Sequence, residues 1–122
     1  MNYLFLVFIG GGIGSVLRYL LSKYISSNFT HINVVGTLSS NLLASLLLAF
    51  LIYFMHEKNS LDIGWKLFLV TGLCGGFSTF STFSYETYEL FRLQMPLYAL
   101  LNILISVGLG VFIMFIIHLS TS

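Results

Sequence analysis

Apolar residues fill this chain in long runs that do not alternate with polar ones; Leu46–Leu47–Leu48–Ala49–Phe50–Leu51–Ile52 is representative. A transmembrane β-strand needs strict alternation, with one face to lipid and one to the lumen. The pattern therefore predicts helices. A helix crosses a bilayer with roughly 20 apolar residues. Four segments meet that requirement, at about 4–25, 33–55, 65–91 and 97–119. Pro96 opens the fourth, where proline is tolerated as the first helical residue. The expected fold is an all-α membrane protein of four transmembrane helices in a single domain, 1–122, with short connections near 26–32 and 56–64.

Composition supports lipid as the solvent. The chain is 57% hydrophobic and 7% charged, whereas a soluble domain carries about 25% charged residues. A plasma-membrane (bacterial inner-membrane), multi-pass location is expected, with the lipid bilayer as partner. A net charge of +1 offers no basic footprint for nucleic acid. Cys74 is the only cysteine, so no intrachain disulfide is expected. No basic residue precedes the first span, unlike a cleaved signal. Asn28–Phe29–Thr30 has the form of a glycosylation acceptor, but it abuts a span end and is read as chance. His31, His56 and His118 lie near span ends as interfacial residues, and no Ser/His or Cys/His pair points to an enzyme.

Charge says little about orientation. Lys58 and Lys66 fall on one side of the membrane, Lys23 and Arg92 on the other, with Arg18 deeper in the first span. The cationic bias that normally sets topology is close to balanced. Two outcomes are open: a weak bias fixes one orientation, or the chain inserts both ways and pairs as an antiparallel homodimer.

Polar groups inside a membrane face protein or water, and helical spacing shows where they gather. In the first span Gly10, Gly14, Arg18 and Ser22 recur every fourth residue, a stripe suited to close helix contact. No strand precedes these glycines, so they are not a phosphate loop. Arg18 is either an interfacial anchor or an attractor of anions at a vestibule. Thr37, Ser40, Asn41, Ala44 and Ser45 form one face of the second span, and Asn102, Ser106 and Gly110 one face of the fourth. In the third, Ser78, Thr82 and Glu86 align, and Phe80 lies beside Phe83. Three such stripes facing one another make a polar track; one alone is packing glue.

The third span holds the most informative run, Gly75–Gly76–Phe77–Ser78–Thr79–Phe80–Ser81–Thr82–Phe83–Ser84. Gly72, Gly75 and Gly76 weaken a helix, and Ser78 and Thr79 are good N-caps. The span is expected to be two half-helices broken near Gly75–Ser78. Such a break is tolerated only inside protein or along a cavity. It frees carbonyls that suit a cation and amides that suit an anion. Hydroxyls, the Asn41 amide and the positive edges of phenyl rings form a line of weak donors for a small anion. No Lys or Arg falls mid-run, and conduction needs sites weak enough to leave. Plain core packing of the phenylalanines is the other option.

These residues resemble the Fluc fluoride channels, also called the CrcB family, over nearly the whole chain. The third-span run with Glu86 following is the specific signature; Gly36–Thr37–Leu38 with Asn41, and Gly10–Gly11 with Gly14 and Arg18–Tyr19, match the other motifs. The resemblance implies a passive fluoride channel, a dual-topology antiparallel homodimer with two pores that export cytoplasmic fluoride. It implies that Phe80 and Phe83 meet fluoride with their ring edges, with Asn41, Ser81 and Thr82 along the track. Ser106 is the expected contribution of the fourth span, with Arg18 and Glu86 at the vestibule. It also implies a structural sodium ion at the dimer centre, held by backbone carbonyls of Gly75 and Ser78. The chain departs from the family pattern at Ser78 (usually Thr), Ser40 (Val), Ala44 (Gly) and Asn102, where an aromatic such as Tyr is expected.

Two other membrane roles suit a small four-helix chain. A small multidrug exporter is also a four-helix antiparallel dimer, but it needs an acid inside the first span. The acids here are Glu57, Asp62, Glu86 and Glu89. A non-transporting assembly subunit would explain the glycine stripe but not three polar stripes and a broken helix.

Overall fold

The computed structural model describes residues 2–29, 34–58 and 62–121, with side chains over 2–25, 34–55 and 62–120. Thr30 of the Asn28 acceptor, His31, and the side chains of Asn28, His56, Glu57 and Lys58 lie outside it. In chain order the elements are α1 (Tyr3–Phe29), α2 (Val34–Lys58) and α3 (Ile63–Lys66), a π-helical stretch (Leu67–Cys74), then α4 (Gly75–Phe77), α5 (Phe80–Arg92) and α6 (Pro96–Thr121). The segments long and apolar enough to cross a membrane are Tyr3–Ile25, Val34–Met55, Ile63–Arg92 and Pro96–Ser120. Each edge falls within two residues of the sequence expectation. Helices α1 and α2 run on to Phe29 and Lys58, past the predicted ends of their spans.

The third span is interrupted, slightly later than its glycines imply. Gly75 and Gly76 are helical, and the chain leaves the helix only at Ser78 and Thr79, both extended (ψ 160° and 125°). The glycines are there for contact. A Cβ on Gly76 would strike the Gly11 carbonyl of α1, and one on Gly14 would strike the Leu73 carbonyl. Farther along, Gly10 and Gly72 meet so closely that a Cβ on Gly72 would stand 3.0 Å from the Gly10 Cα. The wide turns of the π-helical stretch keep a backbone bond from the Gly75 N–H to the Val70 carbonyl. The small-residue stripe of α1 thus seats the first half of the third span, and its outer end, Ser22, packs against Gly36 of α2.

Gly76→Ala is therefore expected to push α1 off the third span. Overpacking of this kind costs roughly 1–3 kcal/mol, to be read from unfolding in mixed detergent–SDS micelles. Gly12, whose Cβ would meet nothing within 4 Å, is the control: Gly12→Ala should be tolerated.

A tight turn joins α5 to α6. The Gln94 N–H bonds to the Phe91 carbonyl at 3.0 Å and the Met95 N–H to the Leu90 carbonyl at 2.8 Å. This pairing is the helix-ending motif that calls for a left-handed residue just past the cap, and Gln94 adopts it (φ 59°). Pro96 then starts α6, which packs against α5 and α2. The buried apolar core is built largely of small side chains: Ala44, Ala49, Cys74 and Ala99, with Leu51 and Leu90. Most large apolar side chains point outward, as they do when lipid is the solvent.

Candidate functional site

The break in the third span is where side chains from α1 and α2 converge. Several of the backbone groups freed at its edge are met by a specific partner. The Ser78 hydroxyl donates to the Cys74 carbonyl at 3.0 Å, and the Ser78 N–H reaches the same oxygen at 3.1 Å. The first half-helix is closed in this way. The second half is opened by Thr79, whose Oγ1 accepts from the Thr82 N–H at 3.2 Å as an N-cap. Of the two hydroxyls expected to cap α5, one ends the preceding half-helix and the other begins the next.

Asn41 clamps the break from α2. Its Oδ1 accepts from the Thr79 N–H at 2.8 Å, and its Nδ2 donates to the Thr79 carbonyl at 3.3 Å. The side-chain amide thus pairs with an extended residue as a neighbouring strand would. One of its two N–H donors has no partner among the described residues. Arg18 reaches across from α1, its Nε donating to the Gly76 carbonyl at 3.2 Å. A cation on the last carbonyls of a helix is favourably placed against the helix dipole. Arg18 therefore meets the end of the first half-helix, closer to the break than an interfacial anchor would be. The Gly75 and Ser78 carbonyls have no such side-chain partner among the described residues.

The aromatic pair lies on the first turn of α5. The Phe80 and Phe83 rings are 5.9 Å apart and tilted by 44°. Phe80 is 78% exposed in the single chain, and Ser81 and Ser84 beside it are exposed too. The Ser81 hydroxyl lies 3.3 Å from that of Thr79. Thr82 and Phe83 are half-buried. Glu86, one turn further, lies near Thr37 of α2, and its Oε1 is buried with no partner among the described residues.

On α6, Asn102 is buried and its Nδ2 donates to the Thr87 hydroxyl at 2.9 Å. Ser106, half-buried, lies 3.4 Å from the Asn102 Oδ1. Gly110 faces Ser45, whose Oγ would be 3.4 Å from a Cβ there. The break and the start of α5 thus bring together Asn41, Ser81, Thr82, Phe80 and Phe83, while Asn102 and Ser106 approach α5 from α6. Sequence reasoning missed Thr87. It stands four residues beyond Phe83, a spacing at which a threonine hydroxyl can bond back to a helix carbonyl, and that was the available signal.

A recess of about 180 Å³ opens beside the break, lined by Ala44, Ser45, Val70, Cys74, Gly75 and Ser78. No group of three or more His, Cys, Asp or Glu side chains gathers among the described residues. Gly75 and Ser78, at the edge of the break, are both on the lining of the recess.

Comparison with known proteins gives a consistent answer. The family model for "CrcB-like protein, Camphor Resistance (CrcB)" matches residues 5–117. The "Fluoride-specific ion channel FluC" of Flavobacterium psychrophilum is 38% identical over 114 residues, which is 90% of this chain and 89% of that protein. The protein of that name from Escherichia coli O1:K1 / APEC is 42% identical over 104 residues, 85% of this chain and 82% of the relative. That of Proteus mirabilis is 46% identical over 79 residues, 65% of this chain and 63% of the relative. With four membrane-crossing segments, a third span interrupted at Ser78–Thr79 and a match running almost end to end, the chain belongs to the CrcB family.

Proposed function

We propose that this chain forms a passive fluoride channel in the bacterial inner membrane, two copies pairing antiparallel around two pores. It is a transport protein and not an enzyme. The observation that carries this reading is the aromatic–hydroxyl face at the break. Phe80 and Phe83 stand together at the start of a half-helix, flanked by Thr79, Ser81 and Thr82. Ring edges and hydroxyls are weak donors, suited to passing a small anion rather than holding it. Asn41, Ser81, Thr82 and Ser106 continue the line, with Arg18 and Glu86 toward its ends.

The same face supports the dimer. Ser81 and Ser84 are exposed in a single chain at membrane depth, where exposure to lipid is costly. A second copy covers them. Relatives that carry the name of a fluoride-specific channel support the choice of ion. Liposomes loaded with fluoride or chloride and holding purified protein give the test. Rapid fluoride loss with chloride retained is the expected result. Retention of fluoride by verified, folded protein would overturn the reading.

The residues also fit a structural sodium ion. The carbonyl oxygens of Gly75 and Ser78 have no side-chain donor among the described residues, and both residues line the small recess. Hard cations take neutral oxygen ligands of this kind. Two carbonyls from one chain make half a coordination shell, and an antiparallel copy supplies the other half. Such an ion would tie the two break regions together through uncharged carbonyl oxygens of both chains. Replacing sodium by N-methylglucamine is expected to dissociate the dimer or stop fluoride efflux. Dimer content and flux unchanged at full depletion would remove the Gly75/Ser78 assignment.

A further inference from the structure

Thr87 on α5 and Asn102 on α6 are 8% and 5% exposed, and the hydrogen bonds between them have a fixed direction. The Thr87 Oγ1 donates its one proton to the Phe83 carbonyl at 2.8 Å. Its oxygen can then only accept. The amide nitrogen of Asn102 must face it, and does, at 2.9 Å. The Asn102 Oδ1 is thereby turned toward the Ser106 hydroxyl, 3.4 Å away. The run is Ser106 to Asn102 to Thr87 to the backbone of Phe83.

We infer that Asn102 is a positioning residue for Phe83, acting through Thr87, and does not itself line the ion path. This rests on the pore reading above. Both ends of the Asn102 amide are committed inside the bundle. Its bond to Thr87 is the one side-chain hydrogen bond between α5 and α6 among the described residues. The helix it restrains is short, 13 residues. Asn41 fixes the start of that helix at Thr79, and the turn through Gln94 fixes its end. Between them, only the Thr87–Asn102 bond sets by a directional contact how the Phe83 turn lies on α6. A threonine hydroxyl bonded to the carbonyl four residues back also bends a helix. Here the carbonyl held in this way is that of Phe83 itself. The fourth span's contribution to the path is then left to Ser106, held by the Asn102 oxygen.

Single-channel fluoride current in planar bilayers tests this, because the size of the unit current does not depend on how many channels folded. Thr87→Val and Asn102→Leu are each expected to lower the unit current about tenfold, as when the contribution of one hydrogen bond is lost from a barrier. Thr87→Ser, which keeps the hydroxyl, should stay within about twofold of the parent, too small a change to represent a lost hydrogen bond. The double variant Thr87→Val/Asn102→Leu leaves neither of these two polar groups buried and unpaired, so it should fold even where a single variant does not. Its current should be no lower than that of the worse single variant, since both act through one bond. Parent-like unit currents in the folded double variant, or in both single variants, would overturn the positioning role and leave the pore reading standing. Absence of any fluoride current from the unaltered protein would overturn both.

Discussion

Replacing either ring of the aromatic pair, Phe80→Ile or Phe83→Ile, is expected to cut fluoride efflux by at least about a hundredfold while the protein stays folded. A hundredfold loss corresponds to roughly 2.7 kcal/mol on the barrier. The ring edge supplies partial positive charge that an aliphatic side chain lacks, and a dehydrated small anion has few other donors at that point. Folding is spared for a structural reason. Phe80 is 78% exposed within the chain, so shortening it opens no cavity in the subunit. Phe83 is half-buried, and its replacement should lower stability measurably but modestly. The check is paired: ion-selective electrode recordings of efflux, and size-exclusion profiles of the same preparations. Parent-like flux from both variants would mean that the rings only pack. Flux lost together with the folded peak would mean that the variants report on stability alone.

The four spans were legible because a bilayer demands uninterrupted apolar length, and that demand is written in composition and run length. The break was legible to within a few residues, and the small error is instructive. Gly75 and Gly76 look like helix breakers on propensity, yet both are helical, and Gly76 lies against Gly11 of α1. Propensity is a local preference, and a glycine needed for backbone contact obeys the packing instead. Ser78 and Thr79 were legible as capping residues, but sequence could not show that they serve opposite ends of the break. Asn41 stood out as a polar residue needing a partner. Its partner, Thr79, is 38 residues away, and no helical periodicity reaches across two elements. Arg18 is the same case at 58 residues from Gly76. Thr87 escaped notice because the four-residue rhythm of Ser78, Thr82 and Glu86 draws attention to one face of α5. Thr87 lies one position further round, toward α6, where its role depends on Asn102 being opposite.

Asn41→Leu is the substitution expected to damage both structure and transport. Leucine is close to asparagine in size, so the change removes chemistry more than volume. The Thr79 N–H then loses its 2.8 Å acceptor and the Thr79 carbonyl loses a 3.3 Å donor. Thr79 is extended and lies between two half-helices, so helix bonding cannot replace the lost acceptor. A buried backbone donor without a partner costs about 1–3 kcal/mol, and the pair of losses roughly 2–4 kcal/mol. The damage should propagate to the aromatic pair. Thr79 caps α5 through Thr82, and Phe80 follows it directly, so releasing Thr79 frees the turn that carries Phe80 and Phe83. Fluoride efflux should fall about a hundredfold, equivalent to roughly 2.7 kcal/mol on the barrier. Asn41→Asp separates the two contributions. A carboxylate still accepts from the Thr79 N–H but cannot donate to its carbonyl, and it sets a negative charge beside the path. Stability should recover in part, whereas fluoride flux should not, because like charge repels the anion. If Asn41→Asp conducts like the parent, the amide is no part of the path and Asn41 serves the fold alone. If Asn41→Leu is as stable as the parent, the clamp on Thr79 contributes nothing that the helices do not already supply.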